Sequence, residues 1–261
     1  MSASTTIDRD EVARFSALAG EWWDPKGPMA PLHRLNPVRL GYVKDQACRH
    51  FDGPGDGARR DPGDPHALAG LSILDIGCGA GLVSEPLTRM GASVTGIDPS
   101  AENIEVARRH AADGGLAVDY RAVTAEQLGE TGATWDVVLA LEVVEHVPDV
   151  DAFVAAAGAL IRPGGLLIAS TINRTMKALA LAIVGAEYVL RWLPRGTHSY
   201  DRLVTPSELG AAFRAAGLTR RDETGVVYVP LADRWKLSPD TGVNYMMVAG
   251  KPIRPAYQGN S

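Results

Sequence analysis

Apolar and polar positions change rhythm three times along the chain. Near the start, Asp8 and Glu11 stand three apart ahead of Val12 and Phe15, the spacing of a helix N-terminal box. Asn36-Pro37 offers a cap followed by a proline at a first helical position. After it Leu40, Val43, Ala47 and Phe51 recur on one helical face. The intervening EWWDPKGPMAPLHRLNP predicts an ordered loop. Residues 52–70 hold five Gly, three Pro and four Asp and predict a flexible surface loop. From residue 71 short apolar runs alternate with helical patterns. LSILDI (71–76), SVTGID (93–98), VDYRAV (118–123), WDVVLALEV (135–143) and LLIAST (166–171) predict strands; 82–90, 100–112 and 149–161 predict helices. This alternation implies an α/β fold with a parallel sheet and crossover helices. Pro86 inside the first of these helices is a mild conflict. In the last third, an apolar helix is expected at about 175–193 and another from Thr205-Pro206-Ser207-Glu208 to Gly217. Two strands, within 218–238 and 244–252, follow, joined by a turn region. The expected organisation is thus N-terminal helices (1–51), the loop 52–70, a main domain (71–252) with an insertion at 173–203, and a tail (253–261).

Composition narrows the class. The 261 residues are 46% hydrophobic and 22% charged, which excludes a disordered, collagen-like or disulfide-scaffold chain. A net charge of −5 argues against a dedicated nucleic-acid binder. Two cysteines only, Cys48 and Cys78, fit a reducing, cytoplasmic compartment. The N-terminal residues lack a basic stretch followed by an apolar run, so no secretory leader is expected. The best apolar stretch, ALALAIVGA (178–186), soon meets Glu187 and Arg191, so no transmembrane helix is expected either.

Asp75-Ile76-Gly77-Cys78-Gly79-Ala80-Gly81 follows a predicted strand and opens a helix. In an open parallel sheet the ligand crevice lies beyond the strand C-termini, at this turn. A dinucleotide fingerprint would need glycine at 82, where Leu82 stands; this disfavours a nicotinamide-dependent oxidoreductase. Glycines at 77, 79 and 81 match instead the loop of class I S-adenosylmethionine (AdoMet) methyltransferases. Asp98 closes the second strand, where a carboxylate can accept both ribose hydroxyl protons; the plainer alternative is a helix cap. Ala125 and Glu126, after strand three, sit where such methyltransferases contact the adenine; Leu141, near the end of strand four, can pack on the cofactor or simply belong to the core.

Glu142-Val143-Val144-Glu145-His146 leaves strand four at the same edge. If the chain turns helical at Glu142, positions 142, 145 and 146 share a face. Two carboxylates and an imidazole can then hold Mg²⁺ or Zn²⁺. A cation there would stabilise phenolate, which matters because a phenol with a pKa near ~10 is a poor nucleophile at neutral pH. His146 as a metal-free base and a purely structural role stand beside this reading. On the later apolar helix, Leu179, Ile183, Ala186, Leu190 and Leu193 form a wide apolar face, with Lys177, Glu187 and Arg191 in a narrow arc. Residues 174–202 carry five Arg or Lys against two acids. The helix can lie in a membrane interface with Tyr188 and Trp192, cover the sheet, form a homodimer contact or serve as a lid.

Taken together these segments resemble the bacterial ubiquinone-biosynthesis O-methyltransferase family. The resemblance is carried by PLHRLNPVRLGY (31–42), LDIGCGAGL (74–82), VTGID (94–98), EVVEHV (142–147), VGAEYVLRWLPRGTH (184–198) and VNYM (243–246). It implies a class I AdoMet methyltransferase fold, with a Rossmann-like, mostly parallel sheet of seven strands whose last runs antiparallel. It implies O-methylation of two polyprenylated intermediates, 2-polyprenyl-6-hydroxyphenol and 3-demethylubiquinol; with the amphipathic segment 174–202, a cytoplasmic protein peripheral to the inner face of the cell membrane is expected. It also implies AdoMet contacts at Arg39, Gly77, Asp98 and Leu141, with Arg39 on the methionine carboxylate, and Glu142, Glu145 and His146 as a metal set. Two other functions are weighed against it. One is an RNA 2′-O-methyltransferase, which the acidic chain opposes. The other is a non-catalytic AdoMet-binding scaffold in a membrane-associated complex.

Overall fold

The structure is a computed structural model and describes residues 6–53, 58–179 and 200–253. Asp8 caps α1 (Arg9–Ser16) by accepting the backbone N–H groups of Asp10 and Glu11. The next helix, α2 (Ala30–His50), begins six residues before the cap expected at Asn36 and runs through Pro37. Proline removes one backbone donor, but tertiary contacts hold the helix. Val43 and Ala47 are fully buried, and Asn36 donates its side-chain N–H to the carbonyl of Leu82 at 2.6 Å rather than capping. The supposed loop is therefore helical from Ala30 onward.

The segment 52–70 is less idle than its composition predicts. Leu68 is fully buried, and the Arg60 guanidinium donates to the carbonyls of Ala67 and Ala69 at 2.9 Å each, which ties its end to the body of the molecule.

The expected βα alternation follows: β1 (Ser72–Ile76), α3 (Ser84–Arg89), β2 (Ser93–Ile97), α4 (Ala101–Asp113), β3 (Asp119–Arg121), α5 (Ala125–Gly129), β4 (Trp135–Leu141), α6 (Val150–Ala159) and β5 (Ile161–Ile172). Pro86 lies in the first turn of α3, where its missing N–H costs nothing. A short turn, α7 (Met176–Ala178), precedes the undescribed stretch in which most of the amphipathic insertion lies; Ile183, Ala186, Leu190 and Leu193 fall outside the described residues. Thr205 and Glu208 form a reciprocal capping box on α8 (Pro206–Ala215). The chain ends in β6 (Thr219–Val229), β7 (Arg234–Ser238) and β8 (Asn244–Gly250).

Among the described residues the sheet has eight strands in the order β3-β2-β1-β4-β5-β8-β6-β7, against the seven expected. β1 to β5 are parallel, and β8 runs antiparallel between β5 and β6. The additional strand is β7. After Pro230–Ala232 the backbone reverses at Asp233, in the left-handed region at φ 42°, and β7 pairs antiparallel with β6. Neighbouring residues of the central strands serve opposite faces. Leu74, Val138 and Leu167 pack with Phe153 and Phe213, whereas Ile73, Leu139 and Ile168 pack with Val43 and Leu68. A sheet buried on both faces needs such near-continuous apolar strands. Among the described residues no helix is long and apolar enough to cross a membrane.

Candidate active site

The C-terminal ends of the sheet strands open into a cavity of about 900 Å³. Gly77 and Cys78 after β1, Asp98 after β2, Ala125 and Glu126 after β3, Leu141 at the end of β4, and Glu142 and His146 after it all face it, as does Arg39 of α2. The switch point of the strand order lies between β1 and β4, where such crevices form.

The three glycines have different tasks. Gly77, Gly79 and Gly81 have φ of 69°, 52° and 92°, a region that disfavours any side chain. Gly77 borders the cavity, and a β-carbon there would lie 2.6 Å from Val143 Cγ2. Gly79 lies under the ring of Trp22, with 2.3 Å from a built β-carbon to Cη2, and Gly81 backs onto the Tyr120 hydroxyl. Gly79 and Gly81 thus shape the loop and lie outside the cavity lining.

Asp98 is held by the loop it serves. One oxygen accepts the Gly79 N–H at 3.0 Å, and the other accepts the Ser100 N–H at 2.8 Å. Burial pushes its carboxyl up, against those hydrogen bonds. Further donors, such as a pair of ribose hydroxyls, would stabilise its charged form. Asp75, below the loop, is raised to about 6 by burial, although Ser84 donates to it at 2.6 Å.

Arg39 is 3% exposed, and among the described residues its guanidinium forms no ion pair within 4 Å. It donates to Asn36 Oδ1 at 2.5 Å, and its Nε has no partner. Burial lowers its pKa while Glu142, Asp75 and Glu145 act the other way. A desolvated cation with an unused donor beside a ligand cavity suits a carboxylate, as the resemblance implies. Glu126 accepts from the backbone N–H of Thr6 at 3.3 Å and from the Thr6 hydroxyl. Its other oxygen is buried without a partner, which leaves one acceptor for a ligand on this side.

The segment after β4 is not helical from Glu142. Glu142 has φ 58°, strained for a residue with a side chain, and a 3₁₀ turn spans Val144–His146. The expected common face is therefore lost. Glu142 Oε1 accepts from Ser170 at 2.6 Å, Glu145 Oε2 accepts from Thr171 at 2.8 Å, and His146 Nδ1 lies 3.0 Å from Glu11 Oε2. Among the described residues no three such side chains group as metal ligands, so the metal set is not assembled here and no chemical step is routed through Mg²⁺ or Zn²⁺. Glu145 lies outside the cavity lining, 2% exposed, with Oε1 unpartnered; burial and the Glu142 charge raise it to about 7.

His146 borders the cavity and stands edge-on to Phe15 at 5.2 Å between ring centroids. Burial alone would lower its pKa, but the Glu11 bond and the charges of Glu145 and Glu11 outweigh that and raise it. Glu11 itself is held near Arg202, which also bonds Asp8 at 2.7 Å. In the sequence Glu11 reads only as a helix-box residue, not as a partner of His146. Its only sequence signal is an acid on the inner face of α1 next to Phe15.

A family model described as a methyltransferase domain matches residues 47–222. The ubiquinone biosynthesis O-methyltransferase of Methylobacterium nodulans is 58% identical over 255 residues, covering 97% of this chain and 100% of that protein. Its namesake from Rhizobium etli is 57% identical over 250 residues, covering 96% and 98%. Among solved structures, magnesium protoporphyrin IX methyltransferase from Synechocystis with bound SAH superposes with a TM-score of 0.59 at 19% identity, covering 93% of this chain and 94% of that one, a likeness of fold. With the glycine loop, the sheet order and near-full-length identity in agreement, the chain belongs to the ubiquinone biosynthesis O-methyltransferase family.

Proposed function

We propose that the protein transfers the methyl group of AdoMet to a ring hydroxyl of polyprenylated catechol and benzoquinol intermediates, namely 2-polyprenyl-6-hydroxyphenol and 3-demethylubiquinol. The observation that carries this reading is one cavity that joins Asp98, Arg39 and His146 and is otherwise walled mainly by apolar side chains. Bound AdoMet supplies a sulfonium methyl electrophile. Asp98 accepts the ribose hydroxyls, Arg39 pairs with the amino-acid carboxylate, and Leu141 and Ala125 give apolar contact to the adenosyl part. His146, with its Nδ1–H donated to Glu11, takes the phenolic proton at Nε2 as the oxygen attacks in line. Alignment and removal of that proton supply most of the acceleration.

The apolar walls favour this reading over RNA methylation, which would call for a basic track along a phosphate backbone. A prenyl tail places the substrate in a bilayer, so the protein is taken to work from the cytoplasmic side as a peripheral membrane enzyme, with residues 174–202 as its contact. Replacing Leu179, Ile183 and Leu190 by Ser is expected to reduce sedimentation with anionic vesicles. Incubation with methyl-labelled AdoMet and a prenylated catechol tests the main reading. Labelled methoxy product supports it, AdoMet binding without transfer favours the scaffold, and label in RNA alone favours the nucleic-acid alternative.

A further inference from the structure

The cavity is much longer than its cofactor end requires. It borders Asp98 at the end of β2 and also Trp235 on β7, and these strands lie six places apart in the sheet. At about 4.8 Å per place the trough spans roughly 29 Å. Gly77, Asp98, Ala125, Glu126, Leu141 and His146 stand at or after the ends of β1 to β4; Arg39 comes from α2, which also reaches β6 through Tyr42 and Asp222 and the hairpin turn through Arg34 and Asp233. Past this reacting centre the trough continues beside β5, β8, β6 and β7. Its apolar walls there include Ile172, Val243, Val226, Tyr228, Pro230 and Trp235.

Tyr228 and Trp235 face one another across the β6–β7 pair, in register and with ring centroids 5.4 Å apart. Tyr228 is fixed by its hydroxyl, which donates to Asp233 at 2.5 Å. Lys236, Ser238 and Asn244 line this end as well, with Lys177 and Asp240, which bond each other and are each about half exposed. The turn of the same hairpin carries Leu231 wholly exposed, next to the wall residue Pro230. An apolar arm that leads from the reacting centre to an apolar side chain in solvent fits a long hydrocarbon chain better than a compact soluble ring.

Resting on the function proposed above, we infer that the β6–β7 hairpin is the tail-binding arm and that Trp235, supported by Tyr228, sets the preference for prenylated over tail-less catechols. In-line attack on the AdoMet methyl requires the ring oxygen to face β4, so a chain on the ring must leave on the side away from the cofactor. That side is the β5–β7 half of the trough. The arm depends on β7, the strand beyond the seven expected.

The test compares kcat/KM, at saturating AdoMet, for a catechol bearing two isoprene units and for the same catechol without a tail. Trp235→Ala is expected to lower kcat/KM for the tailed substrate about tenfold, the loss of one large apolar contact. It should change the tail-less reaction less than about twofold, and Trp235→Phe should recover most of the loss. Calorimetric AdoMet binding like that of the wild type shows that the variant is folded. Equal losses on both substrates, or no loss on either, would overturn the assignment. Wild-type protein that methylates neither catechol would instead overturn the underlying function.

Discussion

Glu11 Oε2 on α1 and His146 Nδ1 in the turn after β4 meet at 3.0 Å. The contact closes α1 over the cavity and fixes which imidazole nitrogen carries the proton. A carboxylate on Nδ1–H leaves the lone pair on Nε2 and strengthens the imidazole as a base. Its consequence is a pH dependence. Because His146 is raised above the ordinary 6.5, the base form is lost as pH falls through that raised value. In wild type the acidic limb of kcat should therefore lie above pH 6.5. Glu11→Gln should shift the limb to lower pH and reduce kcat by about tenfold to a hundredfold through misplacement of the ring. A pH–rate profile of both proteins decides; an unmoved limb contradicts the pairing.

Loss of the imidazole is a stronger change. His146→Ala should lower kcat on the order of a hundredfold or more, the usual share of general-base catalysis, with AdoMet affinity nearly intact. Single-turnover kinetics alongside calorimetric binding separates the two effects. Equal loss of binding would make His146 a cofactor contact.

Asp98 and Arg39 should control affinity. Removal of a charge-assisted hydrogen bond costs about 1.5–3 kcal/mol, so Asp98→Ala and Arg39→Ala should each weaken AdoMet binding by roughly tenfold to a hundredfold. Arg39→Lys should recover little, because a point charge does not reproduce the guanidinium fork. Calorimetry on protein of native circular dichroism checks this.

The glycine loop separates backbone strain from collision. Gly79 and Gly115 have φ of 52° and 65°, but a β-carbon meets Trp22 at 2.3 Å at the first and nothing within 4 Å at the second. Gly115→Ala should cost about 1 kcal/mol of stability through strain. Gly79→Ala should cost more and weaken AdoMet binding, since relief of the collision with Trp22 shifts the backbone N–H that holds Asp98. Thermal melts of the pair, with AdoMet added, measure both effects.

Glu145 gives a stability prediction of defined sign. Its carboxyl is raised from 4.5 to about 7 by burial and by Glu142. The native state thus favours the protonated form, a contribution complete below the ordinary carboxylate range and lost as pH rises through about 7. Glu145→Gln cannot ionise, so its Tm relative to wild type should rise between about pH 5 and pH 8. A constant difference across that range would show that Glu145 is not buried as described.

Much of this site was legible where chemistry and local structure coincide. The positions of Asp98 and Gly77 at the cavity follow from a strand ending in an acid and from a strand-to-helix turn, because both are set within a few residues. The expectations that failed depend on tertiary contact. Asn36 looked like a cap because its use by the Leu82 carbonyl lies in another segment. Glu142, Glu145 and His146 looked like one helical face because nothing local announces that Ser170, Thr171 and Glu11 draw them apart. The apolar alternation of 218–238 predicted a single strand, and only the reversal at Asp233 divides it into β6 and β7. Arg39 was reached through resemblance, since a lone arginine on a helix carries no local sign of burial.

The most direct test of the whole account is a crystal structure of the protein with S-adenosylhomocysteine and a prenylated catechol. It should place the ribose hydroxyls on Asp98, the amino-acid carboxylate on Arg39 and a ring oxygen within hydrogen-bond reach of His146 Nε2. A ribose held away from Asp98, or a catechol ring bound remote from His146, would contradict it.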